Sequence, residues 1–347
     1  MTKICLVSGT RPEVIKMSPI IKECEAQKLD YFLLHTGQHY SHKMSGIFWE
    51  QLELSSPDYN LNIGNESNNQ KLIKMMQGIE SVFEKEKPDV VLVEGDTTTV
   101  LATSLASYNK HIALGHVEAG LRCHDNAMPE EINRIIADHC ATLLFAPTKY
   151  AELNLKKDES FKNIYQVGNT IADVVKQYMP QKTNSVHYLL ATIHRQENVD
   201  NAQRFGEILK GLDTIRKNLN ISILYPIHPR SKKMMAQFGL QTNVKIIEPV
   251  DYLKMLELEY NADLILTDSG GVQEEACILN VPCVTMRDNT ERQETVEIGA
   301  NIISGADSEY IYECAKVMLN KKKDWQHPYG DGNTAKRIID IVKEKYV

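Results

Sequence analysis

The sequence lacks cysteine pairs at the C-x-x-C spacing that binds zinc or undergoes disulfide exchange. Its seven cysteines are scattered over 347 residues, and most of them lie in apolar surroundings. This distribution excludes a disulfide scaffold and favours reduced thiols, as in a cytosolic protein.

Long basic runs and long apolar runs are also missing. The longest basic run covers only residues 321–323, and the net charge is −7, so the basic face typical of nucleic-acid binders is not indicated. No uncharged stretch approaches the roughly 20 residues that a membrane-spanning helix needs. We therefore expect a cytoplasmic protein with neither a nucleic-acid partner nor a membrane partner.

Several catalytic signatures are absent as well. The sequence contains no GxGxxG, no GxSxG and no HExxH, which are the patterns of dinucleotide binding, of a serine nucleophile and of a zinc helix. We therefore expect neither a metal nor a redox cofactor.

What the sequence does contain is a regular alternation of short strands and helices. The strands are continuous apolar runs such as DVVLVE (89–94), which is typical of parallel strands covered on both faces. Two such series in a chain of this length predict an α/β protein with two doubly wound domains. We place them at 1–170 and 171–330, followed by a C-terminal helix at 331–347 that could pack on either domain.

Unusual polar clusters follow the predicted strands. These clusters are GTRPE (9–13), GDTTT (95–99), HVEAGLR (116–122), TIHRQEN (192–198), IHPR (227–230), TDSGG (267–271) and RDNTER (287–292). Ligands of open α/β sheets bind at the carboxyl ends of the strands. If the two domains face each other across a cleft, these clusters would converge on it.

Two strand-to-helix turns are suited to bind phosphate. Ser269, Gly270 and Gly271 open a helix whose free N–H groups and positive dipole end would favour an anion, and Glu275 follows in the same helix. The turn at Gly9 brings Arg11 and, one helical turn later, Lys16. Each turn could equally be an ordinary capped helix.

Three carboxylates, Asp96, Glu118 and Glu130, are candidates for acid–base chemistry. Asp96 could instead cap a helix, and Glu130 could serve the helix dipole or pair with Arg134. Glu118 ends a strand, where a charge is costly unless it is paired or functional. Three histidines, His116, His194 and His228, also follow or end strands.

Taken together, these motifs resemble one family, the non-hydrolysing UDP-N-acetylglucosamine 2-epimerases. The matching segments span about 9–305 in the family's order. They are GTRPEVIKMSP (9–19), EGDTTT (94–99), HVEAGLR (116–122), MPEEINR (128–134), TIHRQEN (192–198), IHPR (227–230), DSGGVQEEA (268–276) and RDNTERQET (287–295).

The resemblance implies a GT-B fold, usually a homodimer, and C2 epimerisation of UDP-GlcNAc to UDP-ManNAc for surface polysaccharide or glycan synthesis. The implied route eliminates UDP to give 2-acetamidoglucal and then adds it back. The catalytic positions carry over to Asp96, Glu118, Glu130 and His194. The UDP and diphosphate contacts carry over to Arg11, Lys16, Arg134, Ser269, Gly270, Gly271 and Glu275, with His228 and Arg230 in the same cleft. Which carboxylate is the C2 base remains open.

The sequence departs from the family pattern at Gln196, where a second arginine is common, at Gln293, where proline is common, and in the segment 38–44. Bacterial members use residues near position 196 and in the segment 38–44 for a regulatory UDP-GlcNAc, so we expect allosteric activation here to be weaker or to be built from other residues. The change at Gln293 is expected to alter only the stiffness of its loop.

Four alternatives stay open. They are a hydrolysing UDP-GlcNAc 2-epimerase, a UDP-diacetamido-uronate 2-epimerase, a GT-B glycosyltransferase and a nucleotide-sugar sensor. The segments QEEA (273–276) and TER (290–292) favour the GlcNAc branch over the uronate branch.

Overall fold

The computed structural model describes residues 2–37, 49–63, 67–183 and 186–346. The predicted regulatory segment 38–44 lies outside these residues. The chain divides into two compact units, which we call the first unit (Met1–Gln177 with Tyr329–Val347) and the second unit (Tyr178–Pro328).

The first unit is built on a seven-stranded parallel sheet of order β3-β2-β1-β4-β5-β6-β7. Its strands are β1 (Lys3–Ser8), β2 (Asp30–His35), β3 (Tyr59–Asn60), β4 (Val90–Glu94), β5 (Ala113–Val117), β6 (Leu143–Ala146) and β7 (Ile164–Gln166). The chain order reverses between β1 and β4, which makes their carboxyl ends the topological switch point of this sheet.

Helices cover this sheet on both faces. They are α1 (Arg11–Ala26), α2 (Asn68–Glu86), α3 (Thr98–Asn109), α4 (Pro129–Cys140), α5 (Lys149–Lys156), α6 (Thr170–Gln177) and the C-terminal α14 (Thr334–Tyr346). Helix α14 packs on α1 and α6, and we therefore describe it with the first unit.

The second unit repeats this architecture with a six-stranded parallel sheet of order β10-β9-β8-β11-β12-β13. Its strands are β8 (Tyr188–Thr192), β9 (Ser222–Pro226), β10 (Lys245–Ile247), β11 (Leu264–Thr267), β12 (Cys283–Thr285) and β13 (Asn301–Ile303). Its helices are α7 (Gln196–Val199), α8 (Ala202–Leu219), α9 (Pro229–Phe238), α10 (Tyr252–Asn261), α11 (Gly270–Ile278), α12 (Gln293–Glu297) and α13 (Ser308–Leu319). The switch point of this sheet lies between β8 and β11.

The predicted α/β class with two doubly wound units is confirmed. Strand β4 is buried along its whole length, as its continuous apolar run indicates. Strand β3 was not predicted because it is only two residues long, and β13 was not predicted because its apolar run is too short and begins with a polar residue. In β13 the buried Asn301 accepts a hydrogen bond from Thr285 Oγ1 at 2.9 Å, so a polar residue interrupts the apolar pattern.

Buried apolar side chains form a separate core in each unit. Residues such as Phe32, Val91 and Leu114 pack between the first sheet and its helices, and Phe205, Tyr225 and Leu266 do so in the second unit. Among the residues that the structure describes, no helix combines the length and the apolar character needed to cross a membrane.

The turn after β1 depends on a glycine for steric reasons. A Cβ atom on Gly9 would lie 2.0 Å from Thr99 Oγ1 and 2.2 Å from Thr36 Oγ1, and these two hydroxyls are hydrogen-bonded to each other at 2.8 Å. The backbone at position 9 can therefore pack this closely against Thr99 of α3 only when the residue there is glycine.

We predict that Gly9→Ala lowers the free energy of unfolding by about 1–3 kcal/mol, the usual cost of overpacking a core. Urea denaturation would measure the change. The same substitution in a Thr36→Ala, Thr99→Ala background should cost clearly less, because the clashing hydroxyls are gone. Equal losses in both backgrounds would contradict the steric explanation.

Candidate active site

Glu13 joins the two turns at the switch point of the first sheet. Its carboxylate accepts hydrogen bonds from the backbone N–H groups of Gly9 (3.0 Å) and Thr10 (2.6 Å) and from Thr97 Oγ1 (2.7 Å). Burial raises the pKa of Glu13 to about 7, because these hydrogen bonds only partly offset desolvation. Glu13 therefore holds the turn after β1 against the turn after β4.

Lys16 and Glu118 form a buried ion pair beside these turns. The Lys16 ammonium contacts Glu118 Oε1 and lies 3.5 Å from Glu94 Oε1 at the end of β4. Both members of the pair are only 6% exposed. The structure thus places Lys16, a predicted diphosphate contact, between two carboxylates.

Glu118 also has an unusual backbone conformation. Its φ angle is +71°, in the left-handed region that costs a non-glycine residue roughly 1 kcal/mol or more. Strand β5 ends at Val117, and the turn directs the Glu118 side chain to Lys16 and to Asn169, whose Nδ2 donates to Glu118 Oε1 at 2.9 Å. Such strain at a buried, paired carboxylate is the kind found at functional sites.

Asp96, at the same edge, pairs with Arg134 of α4. Arg134 is 2% exposed and also donates to Glu131 Oε2 at 2.6 Å. The predicted partner of Arg134 was Glu130. The structure shows a pairing with Glu131, which lies three residues before Arg134 on the same face of the helix.

Glu131 is therefore a structural carboxylate. It accepts from the backbone N–H groups of Cys123 (3.1 Å) and His124 (2.9 Å). Burial opposes ionisation, but these hydrogen bonds and Arg134 outweigh it and lower the pKa of Glu131. Its neighbour Glu130 is half-buried at the start of α4.

His116, in strand β5, has a structural role because it contacts the loop that carries Asp96. Its Nδ1 lies 2.7 Å from Asp138 Oδ1, and its Nε2 lies 2.8 Å from the carbonyl of Gly95. Asp138 also pairs with Arg122 at 2.7 Å. All three contacts brace the loops that follow β4 and β5.

In the second unit, Asp268 organises the switch point. This fully buried carboxylate accepts from the backbone N–H groups of His194 (3.1 Å) and Arg195 (3.0 Å) and from Asn198 Nδ2 (3.0 Å). The His194 ring is 6.0 Å from that of His228, centroid to centroid. Asp268 thereby holds the loop after β8 against the loop after β11.

The start of α11 keeps the geometry expected of an anion site. Ser269 caps the helix by accepting from Val272 N. A Cβ atom on Gly271 would meet nothing within 4 Å, whereas one on Gly270 would lie 2.8 Å from Glu291 Oε1. Gly270 thus serves internal packing, while open space adjoins Gly271, where the first N–H groups of the helix have no partner within it.

A buried network of arginines and glutamates lies beside this helix. Glu291 pairs with Arg287 (3.0 Å) and Arg292 (2.8 Å), and Arg292 also donates to Glu274 at 2.9 Å. Glu275, which was predicted to contact ligand, is 6% exposed. The RDNTER motif therefore supports the start of α11 from within the unit.

The remaining predicted site residues lie nearer the surface. Arg11 is half-buried in the first turn of α1. His228 is exposed and caps α9 by accepting from Arg230 N at 3.2 Å. Arg230 forms a two-point ion pair with Asp200.

Sequence reasoning missed Glu13, Glu94, Asn169 and Asp268. Glu94 and Asn169 could have been found, because each is a polar residue at the end of a predicted strand. Glu13 and Asp268 lie in the polar clusters GTRPE (9–13) and TDSGG (267–271), but no local signal shows that each carboxylate would join two strand-end loops. Within the described ranges, no three His, Cys, Asp or Glu side chains are grouped so that they could hold a metal ion.

Comparisons with known proteins identify the family of this chain. A family model described as UDP-N-acetylglucosamine 2-epimerase matches residues 22–343. The chain is 49% identical to the UDP-N-acetylglucosamine 2-epimerase of Methanococcus maripaludis, over 99% of this chain and 98% of that protein. It is 41% identical to the UDP-2,3-diacetamido-2,3-dideoxy-D-glucuronate 2-epimerase of Pseudomonas aeruginosa, over 98% of this chain and 99% of that protein.

A solved structure of similar fold is the Methanocaldococcus jannaschii UDP-GlcNAc 2-epimerase in complex with UDP-GlcNAc and UDP. The two structures superpose with a TM-score of 0.93 at 48% sequence identity, and the match covers 99% of this chain and 100% of that chain. The chain described here belongs to the UDP-N-acetylglucosamine 2-epimerase family and is an enzyme of that class. The resemblance predicted from the motifs is thus confirmed.

The contrast between Glu130 and Glu131 leads to a stability prediction. Glu131→Gln should lower the free energy of unfolding by about 1–3 kcal/mol, because the buried Arg134 loses one of its carboxylate partners and keeps Asp96. Glu130→Gln should cost clearly less, because Glu130 is only half-buried and desolvation penalties fall with exposure. Chemical denaturation of both variants would measure this, and equal losses would refute the separation of roles.

Proposed function

We propose that this chain interconverts UDP-GlcNAc and UDP-ManNAc by reversible epimerisation at C2. The observation that carries the proposal is the buried Glu118 carboxylate, held by Lys16 and Asn169 at the sheet edge that also presents Asp96. Family membership supplies the substrate class, and the structure supplies a strained, paired carboxylate suited to proton transfer.

The proposed reaction is an elimination followed by an addition. A carboxylate takes the proton from C2, a C1–C2 double bond forms, and the C1–O bond to UDP breaks. UDP oxygen then bonds to C1 again while C2 receives a proton on the opposite face. No net oxidation occurs. Glu118 and Glu130 are the proposed acid–base pair, Asp96 a positioning group or second base, and His194 a contact of the diphosphate.

The leaving diphosphate needs positive charge and hydrogen-bond donors. We assign this task to the start of α11 at Ser269, Gly270 and Gly271, and to Arg11. Lys16 lies against Glu118 and Glu94, so its proposed contribution includes holding Glu118 ionised. Further contacts of the nucleotide are assigned to Arg134, His228, Arg230 and Glu275.

The proposal extends to the setting in which the enzyme works. As in the family pattern, we propose a cytoplasmic homodimer that supplies ManNAc-type sugars for surface polysaccharide or glycan synthesis. These points rest on the resemblance of the motifs and on family membership.

One experiment separates this function from the alternatives. Incubation with UDP-GlcNAc alone in deuterated water, followed by NMR, should give UDP-ManNAc with deuterium at C2, because the carboxylates exchange protons with solvent. Free ManNAc would indicate the hydrolysing reaction. Absence of turnover, with turnover of the diacetamido-uronate substrate, would indicate the uronate branch. Full retention of the C2 hydrogen would contradict the carboxylate mechanism.

A set of variants should separate chemistry from nucleotide binding. Glu118→Gln and Glu130→Gln should each lower kcat by at least about 10²-fold, as expected of general acid–base groups, while UDP binding by calorimetry is retained. Gly271→Ala should do the opposite and weaken UDP binding, since its methyl group enters open space beside the helix start. Its stability should not fall, because alanine favours a helix by about 1 kcal/mol over glycine. If Gly271→Ala binds UDP with wild-type affinity, the assignment of the diphosphate site to this helix is wrong.

A further inference from the structure

Asn169 lies in the loop after β7 and is 2% exposed. Strand β7 is separated from β5 by β6, yet the side chain of Asn169 reaches Glu118 at the end of β5. The Nδ2–Oε1 distance is 2.9 Å. The contact therefore spans the end of one intervening strand.

The amide of Asn169 is fixed in one orientation. Its Oδ1 accepts from the backbone N–H of Ile171 at 3.0 Å, which caps the start of α6. Because a backbone N–H can only donate, this contact assigns the oxygen and leaves the NH₂ group directed at Glu118.

The C-terminal segment 329–334 holds the backbone of Asn169. Its N–H donates to the carbonyl of Tyr329 at 2.9 Å, and its carbonyl accepts from Thr334 Oγ1 at 3.2 Å. The preceding Gly168 has φ +99°, and a Cβ atom there would lie 2.7 Å from Thr334 Oγ1. Only glycine allows the two segments to approach so closely.

Two donors thus meet at one oxygen of Glu118. Lys16 Nζ and Asn169 Nδ2 both contact Oε1, whereas Oε2 lies 4.0 Å from the point where a Cβ atom of Gly95 would be. The missing side chain of Gly95 leaves space next to Oε2. Charged groups at Glu118 include Lys16 and, across that ammonium, Glu94.

We propose that Asn169 is a positioning residue that orients the Glu118 carboxylate through Oε1, so that Glu118 can carry the proton to and from C2. This inference rests on the proposed function. It adds the C-terminal segment to the scaffold of the site, because that segment fixes the backbone of Asn169.

The test is Asn169→Asp, which keeps the shape and the capping oxygen for Ile171 but replaces the donor with a second carboxylate oxygen. We expect kcat to fall by about 10–100-fold, in the range seen when a reacting group is misplaced, with little change in KM. Loss of the donor and the added like charge disfavour ionised Glu118. The limb of the kcat–pH profile that reports Glu118 should therefore move to higher pH.

Asn201→Asp is the matched control. Asn201 caps α8 by accepting from Arg204 N at 3.0 Å, so the same chemical change occurs at a helix cap of the second unit. This control should keep the wild-type kcat and pH profile. If Asn169→Asp does not fold, Asn169→Ser, whose hydroxyl can still cap α6 but cannot reach Glu118, takes its place.

A direct measurement makes the inference independent of turnover. ¹³C NMR of the Glu118 carboxyl, assigned with Glu118→Gln, should show titration at higher pH in Asn169→Asp than in the wild type. The proposal is overturned if Asn169→Asp leaves both the Glu118 titration and the pH profile unchanged and loses activity only in proportion to its loss of thermal stability. Asn169 would then act only as the cap of α6. Failure of the wild type to convert UDP-GlcNAc would instead overturn the proposed function.

Discussion

The buried pair of Lys16 and Glu118 is the interaction on which the polar edge of the first unit depends. Either charge alone, removed from water, would cost several kcal/mol. Its presence therefore requires a partner from another element, and α1 and β5 are brought together to provide it. Glu94 and Asn169 also contact the pair, so residues from four segments of the unit meet there.

The same device recurs at the switch point of each sheet. Glu13 in the first unit and Asp268 in the second are buried carboxylates that accept backbone N–H groups from neighbouring turns. Such groups are costly to bury unless their hydrogen bonds are satisfied. Each one holds two strand-end loops together, and the more accessible residues on those loops, such as the half-buried His194, take their positions from it.

The left-handed backbone of Glu118 completes this picture. A φ of +71° is unfavourable for a residue with a long side chain, and it persists only where surrounding contacts over-determine it. Lys16, Asn169 and the glycine at 95 supply those contacts and the space. The strained backbone of Glu118 therefore costs some folding stability at the side chain that the proposed mechanism uses for proton transfer.

The sequence by itself determined the α/β class, the two strand–helix series and the family, because apolar periodicity and strand-end motifs are local signals. It identified Glu118 since a charge at a strand end is conspicuous. Only the tertiary structure decided its partners, as it did the pairing of Arg134 with Asp96. Lys16 and Asn169 are 102 and 51 residues away from Glu118 in the chain. Which residues meet over such distances is determined by strand order and turn geometry, and no local pattern encodes these.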